Sequence, residues 1–293
     1  MKRVVLIGAS GMLGTMVQAT VPDAYELVPL SRHDLDIRDR DGVLEKLTRF
    51  APDVIVNCAA FTDVDGCESE TELADAVNAA GPGNLALAAK RLGAVLVHVS
   101  TDYVFDGTGS RPYTEEDPVA PRSAYGRSKL MGEEAIPASG LKEYFIVRTS
   151  WLYGPGGKNF VETMLRLARE REELRVVADQ VGSPTYTRDL ALAIYRLLST
   201  RSYGIYHFSD EGSCSWHEFA SEIIRQYGRL EALRVRSVIP IRTQEYPLPA
   251  ERPRYSVLSK EKYAAATGAR IPDWRESLSA YLKSKTQGGR SDS

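Results

Sequence analysis

The sequence has few of the residues from which most metal sites and disulfide frameworks are built. It contains three cysteines and four histidines in 293 residues, and neither set shows the paired spacing of a zinc site. An odd number of cysteines is typical of a protein in a reducing compartment, so we expect a cytoplasmic protein. We also expect no resident metal ion.

Long apolar runs and a one-sided charge are absent as well. No apolar run reaches the ~18–20 residues of a membrane-spanning helix, and the N-terminus does not resemble a secretory signal. The 37 basic and 39 acidic side chains give a formal net charge of −2. This balance gives no electrostatic reason to expect nucleic acid or a membrane as a partner.

The sequence does contain short apolar segments that alternate with amphipathic helices. Strands are predicted at 3–7, 25–30, 53–57, 94–99, 144–149, 174–177 and 205–208. This alternation predicts an α/β fold with a Rossmann-like, doubly wound parallel sheet. We expect residues 1–150 and about 174–209 in this domain. A smaller, discontinuous C-terminal lobe is expected from about 151–173 and 210–285, followed by a disordered polar tail at 286–293.

A glycine-rich turn follows the first predicted strand. Its sequence is Gly8-Ala9-Ser10-Gly11-Met12-Leu13-Gly14, a GxxGxxG variant of the dinucleotide-binding fingerprint. Small residues allow a sharp turn, and they let the backbone approach a pyrophosphate at a helix N-terminus. Because the turn lies between a first strand and a first helix, it predicts a dinucleotide site.

The end of the second strand indicates which dinucleotide binds. An NAD site usually offers an acidic residue there to the ribose 2′-hydroxyl. Here the strand is followed by Ser31 and Arg32, whose hydroxyl and guanidinium suit a 2′-phosphate. Asp34 and Asp36 follow closely. The pattern favours NADPH and leaves NADH use open.

Three residues predict a proton-donating site for a carbonyl group. Thr101 ends the fourth strand, and Tyr125 and Lys129 are four residues apart at the start of a helix, so they share one helical face. The ammonium of Lys129 would lower the pKa of the Tyr125 phenol. A second Tyr-x-x-x-Lys spacing, Tyr281 to Lys285, lies next to the tail and is interpreted as accidental.

The glycine-rich turn, the Asn57-Cys58-Ala59-Ala60 segment, Thr101 and the Tyr125/Lys129 spacing resemble those of the extended short-chain dehydrogenase/reductases. Four longer segments are similar to the dTDP-4-dehydrorhamnose reductase family, and they span 59–65, 100–107, 148–154 and 179–185. The resemblance implies that a nicotinamide hydride reduces the C4 ketone of a dTDP-linked 4-keto-6-deoxyhexose. In that family the substrate is dTDP-4-dehydro-L-rhamnose and the product is dTDP-L-rhamnose.

The resemblance also implies site residues. Tyr125 would donate a proton to the ketone oxygen, Thr101 would hydrogen-bond that oxygen, and Lys129 would bind the nicotinamide ribose. The implied coenzyme residues are Gly8, Ser10, Gly11, Met12, Leu13, Gly14, Ser31, Arg32, Asp36, Ile37, Ala59, Ala60, Thr62, Tyr125 and Lys129. The implied substrate residues are Thr62, Val64, Asp65, Thr101, Asp102, Val104, Phe105, Tyr125, Trp151, Asn159, Gln180, Thr185 and Arg252. Arg254 is an alternative partner for the diphosphate, and Asn78 would contact Lys129 through water.

One residue departs from the family pattern. Some members carry a glutamate after the glycine turn that helps bind magnesium at a dimer interface, and here that position is Met16. A thioether does not provide the hard oxygen ligand that magnesium requires. We therefore do not expect a Mg²⁺-linked dimer, and both a monomer and a homodimer stay open.

Three other functions stay open as well. A nucleotide-sugar 4,6-dehydratase usually has Asp-Glu after the threonine, whereas this sequence has Asp102-Tyr103. An epimerase retains NAD and favours an acidic end to the second strand, where this chain has Ser31-Arg32. A non-catalytic NADP-binding subunit, similar to the regulatory subunit of methionine adenosyltransferase, would not need the Thr101, Tyr125 and Lys129 set.

Overall fold

A computed structural model describes residues 1–288, with side chains described as far as Lys285. Helices and strands alternate along the first two thirds of the chain. The strands within this range are β1 (Lys2–Ile7), β2 (Tyr25–Leu30), β3 (Val54–Asn57), β4 (Val95–Thr101), β5 (Tyr144–Thr149), β6 (Leu152–Tyr153), β7 (Glu173–Val177), β8 (Val181–Gly182), β9 (Thr185–Tyr186), β10 (Gly204–His207), β11 (Cys214–Ser215) and β12 (Ser237–Ile241).

The helices of the same range are amphipathic or buried and connect these strands. They are α1 (Met12–Ala19), α2 (Arg40–Phe50), α3 (Gly66–Ser69), α4 (Thr71–Asp75), α5 (Gly81–Leu92), α6 (Ala124–Ala138), α7 (Phe160–Glu170), α8 (Thr187–Thr200), α9 (Trp216–Tyr227), α10 (Glu261–Thr267) and α11 (Trp274–Gly288). A π-helical turn at Ala76–Ala80 joins α4 to α5, and short 3₁₀ turns lie at Asp102–Val104 and Thr243–Glu245.

The central sheet is parallel and has the order β10-β5-β4-β3-β1-β2. Its register aligns Ile7 with Asn57, and Asn57 with His98, so the carboxyl ends of β1, β3 and β4 lie at one edge. Strand β2 lies on one side of β1, and β3 lies on its other side. This reversal opens a crevice at the carboxyl edge, where open α/β sheets bind their ligands. The predicted Rossmann-like fold class is confirmed.

Helices cover both faces of this sheet. On one face, α1 and α8 bury Val17 and Ile194 against the strands. On the other face, α2, α5 and α6 bury residues such as Leu47 and Leu85. Strand β3 is buried along its whole length, which explains why it is an uninterrupted apolar run rather than an alternating one.

The smaller lobe packs α7, α9 and α11 around a second core. Strand β7 pairs with β12 in a separate two-stranded sheet, and its Leu174 and Val176 join the core of this lobe. The segment from 174 to the start of α8 at Thr187 therefore lies in the smaller lobe and not in the Rossmann domain, where we predicted it. Helix α11 continues to Gly288, three residues into the predicted tail, and 289–293 lie outside the described residues.

Among residues 1–288, no helix has the length and apolarity needed to cross a bilayer. Within the same range, no three or more His, Cys, Asp or Glu side chains cluster as a metal site would require.

Candidate active site

The glycine turn after β1 forms a tight cradle at the crevice. Gly8 has a φ of +77°, and a Cβ there would lie 2.7 Å from the Ala59 nitrogen. A Cβ on Gly14 would lie 2.3 Å from the Gly8 carbonyl oxygen. These positions need glycine because side chains would separate the turn from β3 and from its own helix. The predicted Ala59 thus lies directly against the turn, with Ala60 next to it.

Helix α1 begins in this cradle and directs free backbone N–H groups at the crevice. Gly11 is its N-cap, and no acidic residue lies in its first turn. Ser10 is exposed, Met12 is half-buried, and the Leu13 side chain is buried in the core, so Leu13 offers a ligand only its backbone. A helix N-terminus of this kind fits a pyrophosphate. Residues of the cradle therefore fit a dinucleotide.

We expect Gly14→Ala to weaken coenzyme binding by about tenfold and to lower stability by about 1–3 kcal/mol, the usual cost of overpacking. The added methyl must displace the Gly8 carbonyl or the start of α1. Titration calorimetry and thermal unfolding measure both effects. Gly83→Ala in α5, whose Cβ would meet only Ala135 at 3.3 Å, is the matched control and should leave the coenzyme Kd within twofold. Equal effects at the two positions would contradict a role for the cradle.

The end of β2 carries several charges. Asp34 accepts hydrogen bonds from the Ser31 backbone and hydroxyl at 2.8 and 2.6 Å. Asp36 is paired with Arg38, whose hydrogen bonds lower the pKa of that carboxyl to about 2. The exposed Arg32 guanidinium has no hydrogen bond or ion pair with residues 1–288. Arg32 is thus free to pair with a phosphate.

Thr101 and Tyr125 meet at the carboxyl end of β4. The Thr101 hydroxyl lies close enough to the Tyr125 phenol to favour a lower phenol pKa, but burial has the larger effect and raises the pKa of Tyr125 above its ordinary value. The Thr101 hydroxyl also donates to Asp102 at 3.0 Å. Burial raises the pKa of the Asp102 carboxyl to about 6. A protonated phenol, a hydroxyl and a buried acid therefore converge where a carbonyl could bind.

Lys129 lies one helical turn beyond Tyr125 and is almost completely buried. Its Nζ donates to the Val99 carbonyl at 2.7 Å and lies 3.2 Å from His98 Nε2. Burial lowers the pKa of Lys129 to about 8, which the nearby Glu133 partly opposes. Lys129 thus shares helix α6 with Tyr125, but its ammonium is directed at β4. The predicted lowering of the Tyr125 pKa by Lys129 is not found, because burial raises that pKa and Lys129 is not among the groups that shift it.

Asn78 does not contact Lys129 directly. Its side chain exchanges hydrogen bonds with the Phe61 backbone at 2.8 and 2.9 Å and donates to Ser128 at 3.0 Å. The amide is thereby engaged in fixing the loop after β3 to helix α6. Both Asn78 N–H groups are used, and only the second lone pair of its oxygen could accept from a water, so the water-mediated contact with Lys129 stays a prediction.

A cleft lies between the segment that follows β4 and the C-terminal segment 251–254. It is lined by Tyr103, Phe105, Asp106, Gly107, Thr108, Arg122, Ser123, Glu251, Arg252, Pro253 and Arg254. The Tyr103 ring meets Tyr125 edge-on at 5.5 Å. Arg122, Arg252 and Arg254 all line this cleft, and guanidinium groups pair well with phosphate oxygens.

Asp65 and Arg252, which we predicted as separate substrate contacts, are paired with each other. The Asp65 carboxylate accepts from Arg252 at 2.8 Å and from the Ala250 N–H at 3.0 Å. This ion pair joins the loop after β3 to the C-terminal segment. Its neighbours Thr62 and Val64 are exposed and half-buried, respectively, in that same loop.

Four predicted residues have side chains that are buried or already engaged in hydrogen bonds. Ile37 is packed in the core under α5, and Val104 and Thr185 have no exposed surface, so none presents a side chain to a ligand. Asn159 is the N-cap of α7 and also donates to the Gly154 carbonyl. Each was assigned from its place in a motif, and none of these side chains has a free group at the cleft.

Trp151 and Gln180 belong to the smaller lobe. The Trp151 indole stacks on Trp216 with 3.5 Å between ring centroids, and Gly182 leaves room for its edge. Gln180 donates to the Thr243 hydroxyl at 3.1 Å and is almost buried. Trp216 covers one face of the Trp151 indole. Stacking of the rest of the indole on a sugar or base stays a prediction.

Among the cleft residues that were not predicted, Tyr103 and Arg122 carry groups that can bind a substrate. Tyr103 was noted only because it stands where dehydratases have glutamate, and Arg122 was not considered. Arg122 lies three residues before Tyr125, in a loop whose path cannot be inferred from periodicity. The sequence signal for Arg122 is only a basic residue just before the predicted catalytic helix, and this signal is weak by itself.

The family model described as "RmlD substrate binding domain" matches residues 1–287. The spore coat polysaccharide biosynthesis protein SpsK of Bacillus subtilis is 46% identical over 98% of this chain and 99% of its own length. The dTDP-4-dehydrorhamnose reductase of Burkholderia thailandensis is 41% identical over 93% of this chain and 95% of its own.

A solved structure agrees with these sequence matches. The dTDP-4-dehydrorhamnose reductase of Bacillus anthracis, crystallised in complex with NADP, is 42% identical and superposes with a TM-score of 0.92. The match covers 97% of this chain and 99% of that one. The resemblance noted in the sequence is confirmed, and the chain belongs to the dTDP-4-dehydrorhamnose reductase family that the RmlD substrate binding domain model describes.

Proposed function

We propose that this protein uses NADPH to reduce the C4 ketone of dTDP-4-dehydro-L-rhamnose to dTDP-L-rhamnose, the last step of dTDP-rhamnose synthesis. The main support is the position of Thr101 at the carboxyl end of β4, near Tyr125 and at the edge where β1 and β3 open their crevice, with the buried Lys129 on the same helix as Tyr125. Full-length similarity to reductases of this name supports the substrate.

The nicotinamide supplies a hydride to the ketone carbon when the coenzyme is bound. The chain's own task is to hold the ketone and neutralise the charge that develops on its oxygen. Tyr125 donates a proton to that oxygen, since burial keeps its phenol protonated at neutral pH. Thr101 donates its hydroxyl to Asp102, so the hydroxyl must turn from Asp102 to donate to the ketone oxygen.

The cleft residues hold the rest of the substrate. Arg122, Arg252 and Arg254 line the same cleft as Tyr103 and Phe105, so a diphosphate bound by the guanidinium groups places its sugar near Tyr125. Phe105 is itself held by stacking on Tyr113, with ring centroids 4.4 Å apart. Fixing both ends of the substrate orients the ketone for reaction.

Tyr103 favours reduction over dehydration. A 4,6-dehydratase needs a second acid–base pair after the threonine, and here the ring of Tyr103 packs against Tyr125. Burial raises the pKa of the Tyr103 phenol above its ordinary value, which makes it a poor base. The site therefore supplies one proton to one carbonyl.

A substrate panel tests the assignment. Purified protein should oxidise NADPH, followed by absorbance, when dTDP-4-dehydro-L-rhamnose is supplied, and not with dTDP-glucose. Turnover of a different keto-sugar nucleotide alone would reject the substrate while retaining the reductase. Absence of turnover together with capture of a stoichiometric synthetase partner would favour the regulatory-subunit alternative.

Arg32→Glu should lower the preference for NADPH over NADH by about tenfold or more. A hydrogen bond to a charged group contributes about 1.5–3 kcal/mol, and each 1.4 kcal/mol is about tenfold in affinity. The ratio of kcat/KM for the two coenzymes measures the change. Arg91→Glu, an exposed charge at the far end of α5, should leave the ratio unchanged. An unaltered ratio in Arg32→Glu would show that Arg32 does not contact the 2′-phosphate.

A further inference from the structure

Lys129 lies against an unusual set of hydrogen-bonding partners. Asn57 ends β3 and His98 lies in the middle of β4, and both side chains are buried. His98 Nδ1 is 3.0 Å from Asn57 Nδ2, and His98 Nε2 is 3.2 Å from Lys129 Nζ. One imidazole therefore bridges the end of β3 to the lysine beside Tyr125.

The orientation of the Asn57 amide is set by the backbone. Its Oδ1 accepts the Ala59 N–H at 3.1 Å, so its Nδ2 must face His98. An amide nitrogen only donates, and a neutral imidazole has one N–H and one acceptor nitrogen. His98 Nδ1 therefore accepts from Asn57, and the ring proton is on Nε2, which faces Lys129.

Only the uncharged amine form of Lys129 can accept a hydrogen bond from the N–H of His98 that faces it. An ammonium has donors alone, whereas an amine has a lone pair to accept from Nε2–H and can still donate to the Val99 carbonyl at 2.7 Å. A doubly protonated His98 would present donors on both sides. Burial, with the charge of Lys129, holds the pKa of His98 well below its ordinary value and disfavours that form.

We propose that His98, held by Asn57, is a positioning residue for Lys129. It favours the uncharged amine of Lys129 until the coenzyme binds. Binding of the coenzyme is therefore coupled to uptake of one proton from solvent. The step is balanced: the amine and one solvent proton give the ammonium, with no other reactant. The inference rests on the proposed function for its catalytic meaning, because the ammonium is then in place beside Tyr125 before the ketone arrives.

Other groups around Lys129 do not replace His98 in this role. Glu133, on the same helix, favours the ammonium, but three hydrogen bonds commit its carboxylate to Arg148. Cys58, after β3, has a thiol pKa raised by burial to about 12 and carries no charge near neutrality. Tyr125 is protonated in the same range.

His207 provides a control within the same protein. Its Nδ1 lies 3.1 Å from the Tyr113 carbonyl, and its Nε2 lies 3.4 Å from Arg148 Nη1. With an acceptor on one side and a donor on the other, its proton must be on Nδ1. The two buried histidines are thus expected to be opposite tautomers.

Nitrogen-15 NMR of the imidazole rings tests the proposal in the coenzyme-free protein, without any sugar substrate. We expect His98 as the neutral Nε2–H tautomer and His207 as the Nδ1–H tautomer at pH 7–9. A His98 proton on Nδ1, or on both nitrogens, would overturn the proposal. Because this readout needs no turnover, its failure is separate from failure of the reductase assignment.

Asn57→Asp changes one atom of the amide and offers His98 an acceptor. The His98 proton should then move to Nδ1, Nε2 should accept from the lysine ammonium, and the His207 spectrum should not change. Calorimetry in two buffers of different ionisation enthalpy should show proton uptake on NADPH binding near pH 8.5 in the natural protein. In the variant the midpoint of this uptake should rise by about 1–3 pH units. An unmoved tautomer, or no uptake in the natural protein, would refute the coupling.

Discussion

Tyr125→Phe is expected to lower kcat by about 10²- to 10⁴-fold, the range that a positioned proton donor contributes. The phenylalanine ring keeps the edge-on packing against Tyr103 but has no proton for the ketone oxygen. The Kd for NADPH should change little, since the glycine cradle and Arg32 are untouched. Steady-state NADPH oxidation and a coenzyme titration together measure the two quantities.

The second Tyr-x-x-x-Lys spacing offers a matched control. The Tyr281 hydroxyl bonds Glu162 and the Gly154 carbonyl, and Lys285 bonds the same Glu162 at 2.7 Å. These contacts hold α11 to the loop that precedes α7. Tyr281→Phe should therefore lower thermal stability and leave kcat within about twofold. Near-normal kcat in Tyr125→Phe, or equal losses in the two variants, would remove Tyr125 as the proton donor.

Glu133→Gln is expected to destabilise the fold by about 3–5 kcal/mol, the usual cost of leaving a buried charge unpaired. The Glu133 and Arg148 side chains are each 3% exposed and 2.7 Å apart. The Arg148 guanidinium also lies 5.1 Å from the centroid of the Phe105 ring, so the pair supports the cleft wall. Thermal unfolding should show a lower Tm by roughly 6–20 °C.

An exposed ion pair gives the comparison for this variant. Arg166 and Glu170, in α7, are 60% and 52% exposed, and such pairs contribute about 0–1 kcal/mol. Glu170→Gln should barely change Tm. The double variant Glu133→Leu with Arg148→Met should be more stable than Glu133→Gln, because no charge is left buried. A Glu133→Gln protein as stable as Glu170→Gln would show that the buried pair is solvated.

Local sequence signals predicted most of the Rossmann domain. The glycine turn needs its small residues for close approaches at Gly8 and Gly14, and this requirement is visible in the sequence itself. The strand at 174–177 was placed in the wrong sheet, since a short apolar segment does not specify its neighbour. Only the pairing of β7 with β12, which depends on the path of a distant proline-rich segment, decides its position.

Site residues could be predicted where a reactive side chain lies at a strand end or at a helical spacing that the sequence itself shows. Thr101, Tyr125 and Lys129 lie at the end of a strand and on one helical face, and these local facts place them together. Val104 and Thr185 were assigned by their motif neighbours, but burial depends on the rotation of a short turn and on packing between lobes. The partner of Arg252 was not predictable either, since Asp65 is 187 residues away in the chain.

The pair of Asp65 and Arg252 sets a condition on any anion that would take the place of Asp65 on the guanidinium. Such an anion replaces a carboxylate of the same chain, which also accepts from the Ala250 N–H through its other oxygen. A singly charged ligand gains little from this exchange, whereas a diphosphate has the charge and the oxygen atoms to replace both bonds. We therefore expect a nucleotide diphosphate, and not a singly charged anion, to compete with this internal carboxylate for Arg252.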